Sequence, residues 1–398
     1  MRRPPERKEK LAFRLGVAAC AAVAGLAALS SGEGGSGGRF RAPSADRALS
    51  FPRDHGSHDD ARVEWWYVTG HLDSAGGRRR GFQLTFFRTG LLDEAKGARA
   101  SRFAARDVFL AHFALTDASG GTFRFAERIH RTGPGAAFAR EDRLRVVNED
   151  WMLEELGGRF AVHARDGKPE SGDELSLLLV PEKPAVLHGT NGLSRKGPEP
   201  DAVSRYVSFT RLAASGWLTS NGKCAAVTGT AWMDHEWGPG SIGKEAAGWD
   251  WFAVQLADGR DLMLYRMRAK DGRGTSFSSG TLVGKDGRAT PLAPADFAIE
   301  ETAMWTSPRT GAAYPARWTL RVPSAALTLD VVPLVADQEL VTEKSTRVTY
   351  WEGACDVFDG RAAGDGGRGG PPKQAPRTGS AYVEMTGYAG EGALGAFR

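Results

Sequence analysis

Cysteine is scarce: three in 398 residues. That excludes a disulfide-stapled scaffold, and no CxxC pair is present to build a zinc ribbon or a thioredoxin-like redox centre. The sequence also lacks an HExxH helix, a P-loop and a strand-linked GxGxxG, so zincin, phosphate-loop and dinucleotide chemistry have no foothold. Gly34-Gly-Ser-Gly-Gly38 matches a nucleophile elbow only formally, because it sits in a Gly/Ser-rich stretch without strand or helix around it. No metal site and no cofactor is expected. No apolar run reaches the roughly 20 residues of a spanning helix. Neither charge sign dominates, with 52 Lys+Arg against 48 Asp+Glu. Helical periodicity is thin, with a turn or two expected only at Pro294–Glu301.

What is abundant is glycine (51) and tryptophan (11), set among short alternating runs, and this points to β-structure with many turns. The N-terminus reads as an export signal. Arg2, Arg3, Arg7, Lys8, Lys10 and Arg14 precede a short apolar core from Leu15 to Leu29, with small residues at Ala28-Leu29-Ser30 for cleavage. Residues 1–30 are therefore expected to be a signal peptide, and the mature protein to be periplasmic or secreted. Whether it is released or stays anchored is left open. Without this segment the chain keeps 46 basic and 46 acidic residues, so no nucleic-acid patch is expected. Cys224 and Cys355 remain, and an oxidising compartment leaves their pairing open.

Residues 31–50 read as a flexible linker. Phe51-Pro-Arg-Asp-His-Gly-Ser-His58 reads as a surface loop with local hydrogen bonds. Strands are expected at 63–73, 81–89, 107–117, 122–128, 144–153, 159–165, 174–181, 204–212 and 225–233. A second series runs through 249–256, 261–267, 274–283, 315–322, 327–332, 346–357 and 380–388, with a Gly/Pro-rich loop from Phe358 to Gly379. Strand after strand with turns between argues for a sandwich or barrel over βαβ units. There is also an internal echo. Glu64-Trp-Trp-Tyr67 leads to a Phe/Leu strand ending at Arg88, and Trp249-Asp-Trp-Phe252 leads to Leu262-Met-Leu-Tyr-Arg266.

The chemistry concentrates in Ala231-Trp-Met-Asp-His-Glu-Trp-Gly-Pro-Gly240 and Gly248-Trp-Asp-Trp-Phe-Ala-Val-Gln-Leu256. Asp234, His235, Glu236 and Asp250 are the candidate catalytic groups. In period two, Asp250 shares a face with Phe252, Val254 and Leu256. Burial without a charge partner would raise its pKa and make it a neutral proton donor. The blander reading is an acid that caps a turn or pairs with an arginine. Trp66, Trp237, Trp249, Trp251, Tyr265 and Glu64 are candidate substrate-binding residues, and Glu352 beside Trp351 is a reserve acid. His112 alone reads as a satisfied core histidine.

These motifs resemble a known family. Phe51–His58, Glu64-Trp-Trp-Tyr-Val-Thr-Gly-His-Leu72, Gly81-Phe-Gln-Leu-Thr-Phe-Phe87, Ala111–Asp117, Trp232-Met-Asp-His-Glu-Trp237, Trp249-Asp-Trp-Phe252 and Tyr350-Trp-Glu-Gly353 are similar to AttH-like, carotenoid 1,2-hydratase-related lipocalin-like proteins. The resemblance spans about residues 51–390. It implies an all-β fold of two lipocalin-like antiparallel β-barrels in tandem with few short helices, here placed at 51–237 and 238–398. It also implies a cavity for a hydrophobic, often isoprenoid, ligand. In the carotenoid hydratases a His-x-Trp element and a downstream Tyr-x-Asp element accompany activity. His235 and Trp237 match the first, whereas Tyr265-Arg266-Met267 lacks the acid of the second.

The resulting expectation is an exported protein that binds an isoprenoid or lipid and catalyses acid-assisted hydration or hydrolysis in a barrel cavity. The alternatives are a non-catalytic carrier and an envelope assembly protein. Peripheral contact with a membrane fits such a ligand, and oligomeric state is not legible. For the enzyme reading, Asp250→Asn and His235→Ala are expected to abolish turnover and leave the melting temperature nearly unchanged.

Overall fold

The computed structural model describes residues 40–91, 105–133, 135–167, 172–361 and 376–390. The export segment, the first part of the linker and the middle of the loop after Phe358 lie outside the described residues.

The first sheet contains β1 (Val63–Ser74), β2 (Arg78–Gly90), β3 (Asp107–Asp117), β4 (Thr122–Arg131), β5 (Ala137–Ala139), β6 (Arg145–Asn148), β7 (Trp151–Leu156), β8 (Arg159–Arg165), β9 (Glu174–Pro181), β10 (Val186–Leu187), β11 (Leu193–Arg195), β12 (Val203–Ser220) and β13 (Lys223–Gly238). Its order is β4-β3-β2-β1-β13-β12-β9-β8-β7-β6-β5, with β10 and β11 added on β12. The edge strand β4 comes back against β6, which brings the sheet close to a closed barrel.

The second sheet contains β14 (Ala246–Leu256), β15 (Asp261–Ala269), β16 (Ser279–Val283), β17 (Ala289–Leu292), β18 (Ala298–Thr306), β19 (Ala313–Val322), β20 (Leu327–Pro333), β21 (Glu339–Val341), β22 (Thr349–Asp359) and β23 (Arg377–Met385). Its order is β17-β16-β15-β14-β23-β22-β20-β19-β18, with β21 on β22, and it curves as a half-barrel. The two-barrel, all-β reading therefore describes the molecule.

Period-two alternation decides what each strand buries. In β1, Trp66, Val68 and Leu72 fill the first barrel with Phe82, Phe86, Phe113 and Trp151. In β14, Phe252, Val254 and Leu256 fill the second with Trp318, Trp351 and Val383. The opposite faces, with Tyr67, Trp232, Trp251, Met263, Ala354 and Tyr382, pack against each other as a third core between the barrels. Gly81 is needed there, because a Cβ would meet Ala354 Cβ at 2.3 Å. Asp261 locks the same interface. Fully buried, it takes Lys183 Nζ at 2.6 Å, Arg211 Nη2 at 2.6 Å and the Thr210 hydroxyl at 2.9 Å.

Three local expectations differ from the structure. The 144–153 stretch is a hairpin, β6 and β7, because Glu149 turns the chain at φ 56. Pro294–Glu301 holds only a 3-10 turn at Pro294–Asp296 before β18 pairs with β19. The loop at 51–58 is pinned: Asp54, His55, Ser57 and His58 are all buried. Cys224 is exposed and Cys355 buried, and both are free, which closes the pairing question.

The most consequential difference is length. β13 runs on to Gly238, so Asp234-His235-Glu236 is strand, paired to β1 and β12 on either side. Neighbouring residues in a strand point to opposite faces, so this acid–His–acid run is split between two environments.

Candidate active site between the barrels

The inner face of β13 places His235 inside the first barrel, opposite Trp66. Its hub is Glu64, fully buried on β1. His58 Nδ1 lies 2.8 Å and His235 Nε2 2.9 Å from Glu64 Oε1, and Arg88 Nε donates to Oε2 at 3.1 Å. His58 Nε2 meets Asp54 at 3.1 Å, and Trp237 stacks on the His58 ring at 3.9 Å. Burial opposes charge on Glu64, but the two histidines and Arg88 outweigh it and push its pKa down. Burial lowers the His235 pKa despite Glu64. Burial also disfavours charge on His58, but its bonds to Asp54 and Glu64 raise its pKa overall. His58, Glu64 and His235 bring three ligand-type atoms within 4.8 Å of one another. Arg88 already supplies the positive charge this carboxylate needs, so the cluster acts as a clasp for the 51–58 loop.

Asp250 occupies the matching place in the second barrel. Arg266 Nε donates at 2.7 Å, Arg268 Nε at 3.1 Å and the Tyr388 hydroxyl at 3.0 Å. The sequence echo has its cause here. Glu64 faces Arg88 across β1–β2, and Asp250 faces Arg266 across β14–β15. Of the two readings of Asp250, the acid paired with arginine is the one found, because two guanidinium groups hold it, and the unpartnered proton donor is corrected.

The outer faces enclose a cavity of about 90 Å3 between the barrels. The expectation of a hollow inside one barrel is corrected as well, since apolar cores fill the interiors. Asp234 and Glu236, from the outer face of β13, stand in its wall with Trp249, Trp251 and Tyr265. Asp234 accepts from the Tyr206 hydroxyl at 2.7 Å, the Ser208 hydroxyl at 2.5 Å and Trp232 Nε1 at 2.6 Å. Burial nonetheless carries its pKa up to about 7. Glu236 pairs with Lys196 Nζ at 2.9 Å and accepts from the Ser204 hydroxyl at 2.5 Å. Lys196 lies over the Tyr265 ring at 4.4 Å. Of the sequence candidates, Asp234, Glu236, Trp249, Trp251 and Tyr265 meet at this cavity. His235, Asp250, Glu64, Trp66 and Trp237 lie behind it, inside the barrels.

The far wall holds two further acids. Glu352 on β22 and Glu384 on β23 are directly opposed cross-strand partners, and both line the cavity. Cβ atoms so placed are about 5 Å apart, and two like charges there repel. Burial, then Glu384, pushes the Glu352 pKa well above the carboxylate range. Burial, then Asp234 and Glu236, raises Glu384 to about 7 against the help of Trp249. The pair thus holds a proton at neutral pH. The Tyr67 and Tyr350 hydroxyls bear on the Glu352 carboxyl and offset only part of its rise. Glu352 figured in the sequence only as a reserve, and Glu384 was missed. Its signal is an acid in phase with Tyr382 inside the otherwise apolar run 381–385.

The AttH-like family model matches residues 42–388. The chain belongs to the AttH-like family. An AttH structure from Nitrosomonas europaea is similar over 88% of this chain and 100% of its own, with 32% identity and a TM-score of 0.75. Kievitone hydratase from Nectria haematococca shares the fold at 14% identity and a TM-score of 0.60, over 87% of this chain and 95% of its own. No curated protein matches the chain.

In this AttH-like chain the raised acids bear on stability. A carboxyl whose folded pKa exceeds its unfolded value binds extra protons only when folded, so stability falls as pH rises through that window. For Glu384 the window runs from 4.5 to about 7. Glu384→Gln is expected to be more stable than the parent by about 2–3 kcal/mol at pH 8, with the difference nearly gone at pH 4. Urea unfolding at the two pH values measures it, and an equal gain at both would mean Glu384 is not strained by its charge.

Proposed function

We propose that this AttH-like protein is an exported enzyme that adds water to a carbon–carbon double bond at the apolar end of an isoprenoid or lipid ligand, in the cavity between the barrels. One observation carries the reading: Glu352 and Glu384 stand directly opposed across β22–β23 in the wall of a buried aromatic cavity, where burial favours their protonated forms. Protonating an unactivated alkene needs a carboxylic acid kept neutral, and apolar walls keep it so. Glu352 gives its proton to one alkene carbon. The cation left on the other carbon is stabilised by the indole and phenol faces of Trp65, Trp251 and Tyr67, at about 2 kcal/mol for a dry ring. Water adds to that carbon, and Glu384 takes the water's proton. Atoms balance: the alkene gains one hydrogen and one hydroxyl.

The same acid would serve a hydrolysis, but the aromatic lining favours a reaction that passes through a cation. The cavity volume of about 90 Å3 is smaller than the roughly 300–1,000 Å3 of sites that enclose a drug-sized ligand. This supports entry of a ligand's end only and disfavours a carrier that swallows its cargo. The basic front and apolar core of residues 1–30 support export.

The test incubates the full protein with short and long isoprenoid alkenes in heavy-oxygen water, with mass spectrometry of the products. The expected result is a labelled alcohol. Ligand recovered unchanged and still bound from every incubation would instead favour the carrier.

A further inference from the structure

A second polar path leaves the acid pair through Tyr350 and His112, which line the same cavity. It begins at Tyr350, two residues before Glu352 on the same face of β22, whose hydroxyl stands beside the Glu352 carboxyl. Tyr350 Oη is 2.7 Å from His112 Nδ1, and His112 Nε2 is 2.8 Å from the Ser345 hydroxyl. That hydroxyl donates at 2.5 Å to Glu127 Oε2. The amides of Lys344 and Ser345 also donate to the Glu127 carboxylate, at 3.0 and 2.8 Å. Glu127 is half-buried on the edge strand β4, facing His112 across the β3–β4 ladder. His112, Ser345 and Tyr350 are buried. The path crosses between barrels, since His112 and Glu127 belong to the first and the other members to the second.

Every member can both give and accept a proton. His112 is fully buried and stacked against Tyr350, with ring centroids 5.9 Å apart. Burial lowers its pKa to about 4, so it enters as neutral imidazole with one nitrogen protonated and the other accepting. A satisfied structural histidine would need no such order of hydroxyl, imidazole, hydroxyl and carboxylate reaching the solvent-facing edge. The function proposed above supplies the need. An apolar ligand seated in the cavity cuts Glu352 off from bulk solvent and leaves only the water that the addition consumes.

Resting on that reading, we propose that Glu127, Ser345, His112 and Tyr350 form a proton relay that reloads Glu352 from the surface while the cavity is occupied. Glu127 takes a proton from solvent and passes it to the Ser345 oxygen. The Ser345 proton moves to His112 Nε2, the Nδ1 proton moves to Tyr350, and the Tyr350 proton moves to Glu352. One proton enters at Glu127 and one arrives at Glu352, and the proton that Glu384 took from water returns to solvent when product leaves, so none accumulates over a turnover. Reorientation of the ring and the hydroxyls resets the path. Ser345 and Glu127 lie outside the cavity lining and are positioning residues here, and His112, although it lines the cavity, acts on Glu352 through Tyr350.

The test reads the proton itself. Infrared spectroscopy follows the carbonyl stretch of the protonated carboxyl after transfer of the full protein into heavy water, with and without phytane, a saturated branched alkane, filling the cavity. Glu352→Gln identifies the band by removing it. In the parent, phytane is expected to leave deuterium exchange of the band fast. In Ser345→Ala, phytane is expected to slow it about a hundredfold, the low end of what a positioned proton donor supplies. Glu127→Gln, at the accessible end where packing is not disturbed, is expected to do the same, and Ser345→Thr to restore the parent rate. Parent-like exchange in phytane-filled Ser345→Ala and Glu127→Gln would overturn the relay alone. Absence at neutral pH of any band removed by Glu352→Gln would overturn the acid pair and the relay with it.

Discussion

Asp250→Asn is expected to cost about 3–5 kcal/mol of folding stability, the usual consequence of removing one partner from a buried ion cluster. The side chain is fully buried and accepts from Arg266, Arg268 and the Tyr388 hydroxyl. Asparagine keeps one acceptor oxygen and loses the charge, so two largely buried guanidinium groups face an amide. Arg268, which also lies 3.8 Å from the Tyr388 ring centroid, loses its counter-ion at the same time. A melting temperature lower by roughly 10 °C in calorimetry is the corresponding observable. This reverses the sequence-based expectation of unchanged stability and lost turnover. A stable Asp250→Asn protein without activity would return Asp250 to the catalytic role. His235→Ala is expected to fall on the same side, since it removes a bond to Glu64 and a ring stacked on Trp66 and packed against Trp237.

Glu352→Gln is expected to lower kcat about 100- to 10,000-fold, the range for loss of a positioned general acid. It is not expected to lower the melting temperature. Glutamine keeps the size and removes a carboxyl that burial and Glu384 make costly to ionise. Loss of activity with stability unchanged or raised is the signature of a site held at the expense of stability. Rate measurements on the alcohol-forming reaction, paired with thermal melts, read both halves. Activity within twofold of the parent, about 0.4 kcal/mol in barrier, would remove Glu352 from the chemistry.

The strand at 159–165 was legible because apolar and polar residues alternate there, and those at 107–117 and 174–181 because short apolar runs are bounded by acids or turn residues. The family motifs carried the two barrels. Part of the aromatic wall was legible too, because Trp249 and Trp251 share a phase and Tyr265 entered through the Tyr-x-Asp likeness, whereas Trp65, Tyr67 and Tyr206 were not singled out for it. What failed was the step from proximity in sequence to proximity in space. Asp234, His235 and Glu236 are adjacent, yet the strand turns them to opposite faces. Asp250 was judged without its arginines because its partners, Arg266 and Arg268, arrive only through the β14–β15 register. Glu384 could not be matched to Glu352 because nothing in the sequence states that β22 and β23 are neighbours. A site between two barrels is hidden from any reading that treats each barrel alone.

The central claim is that the reacting end of the ligand lies between the barrels, against Glu352 and Glu384. A crystal structure of Glu352→Gln protein soaked with an isoprenoid alkene tests it most directly. The account predicts ligand density bounded by Trp65, Trp251 and Tyr67, with the double bond beside residue 352. Density within the core of either barrel, next to His235 or Asp250, would contradict it.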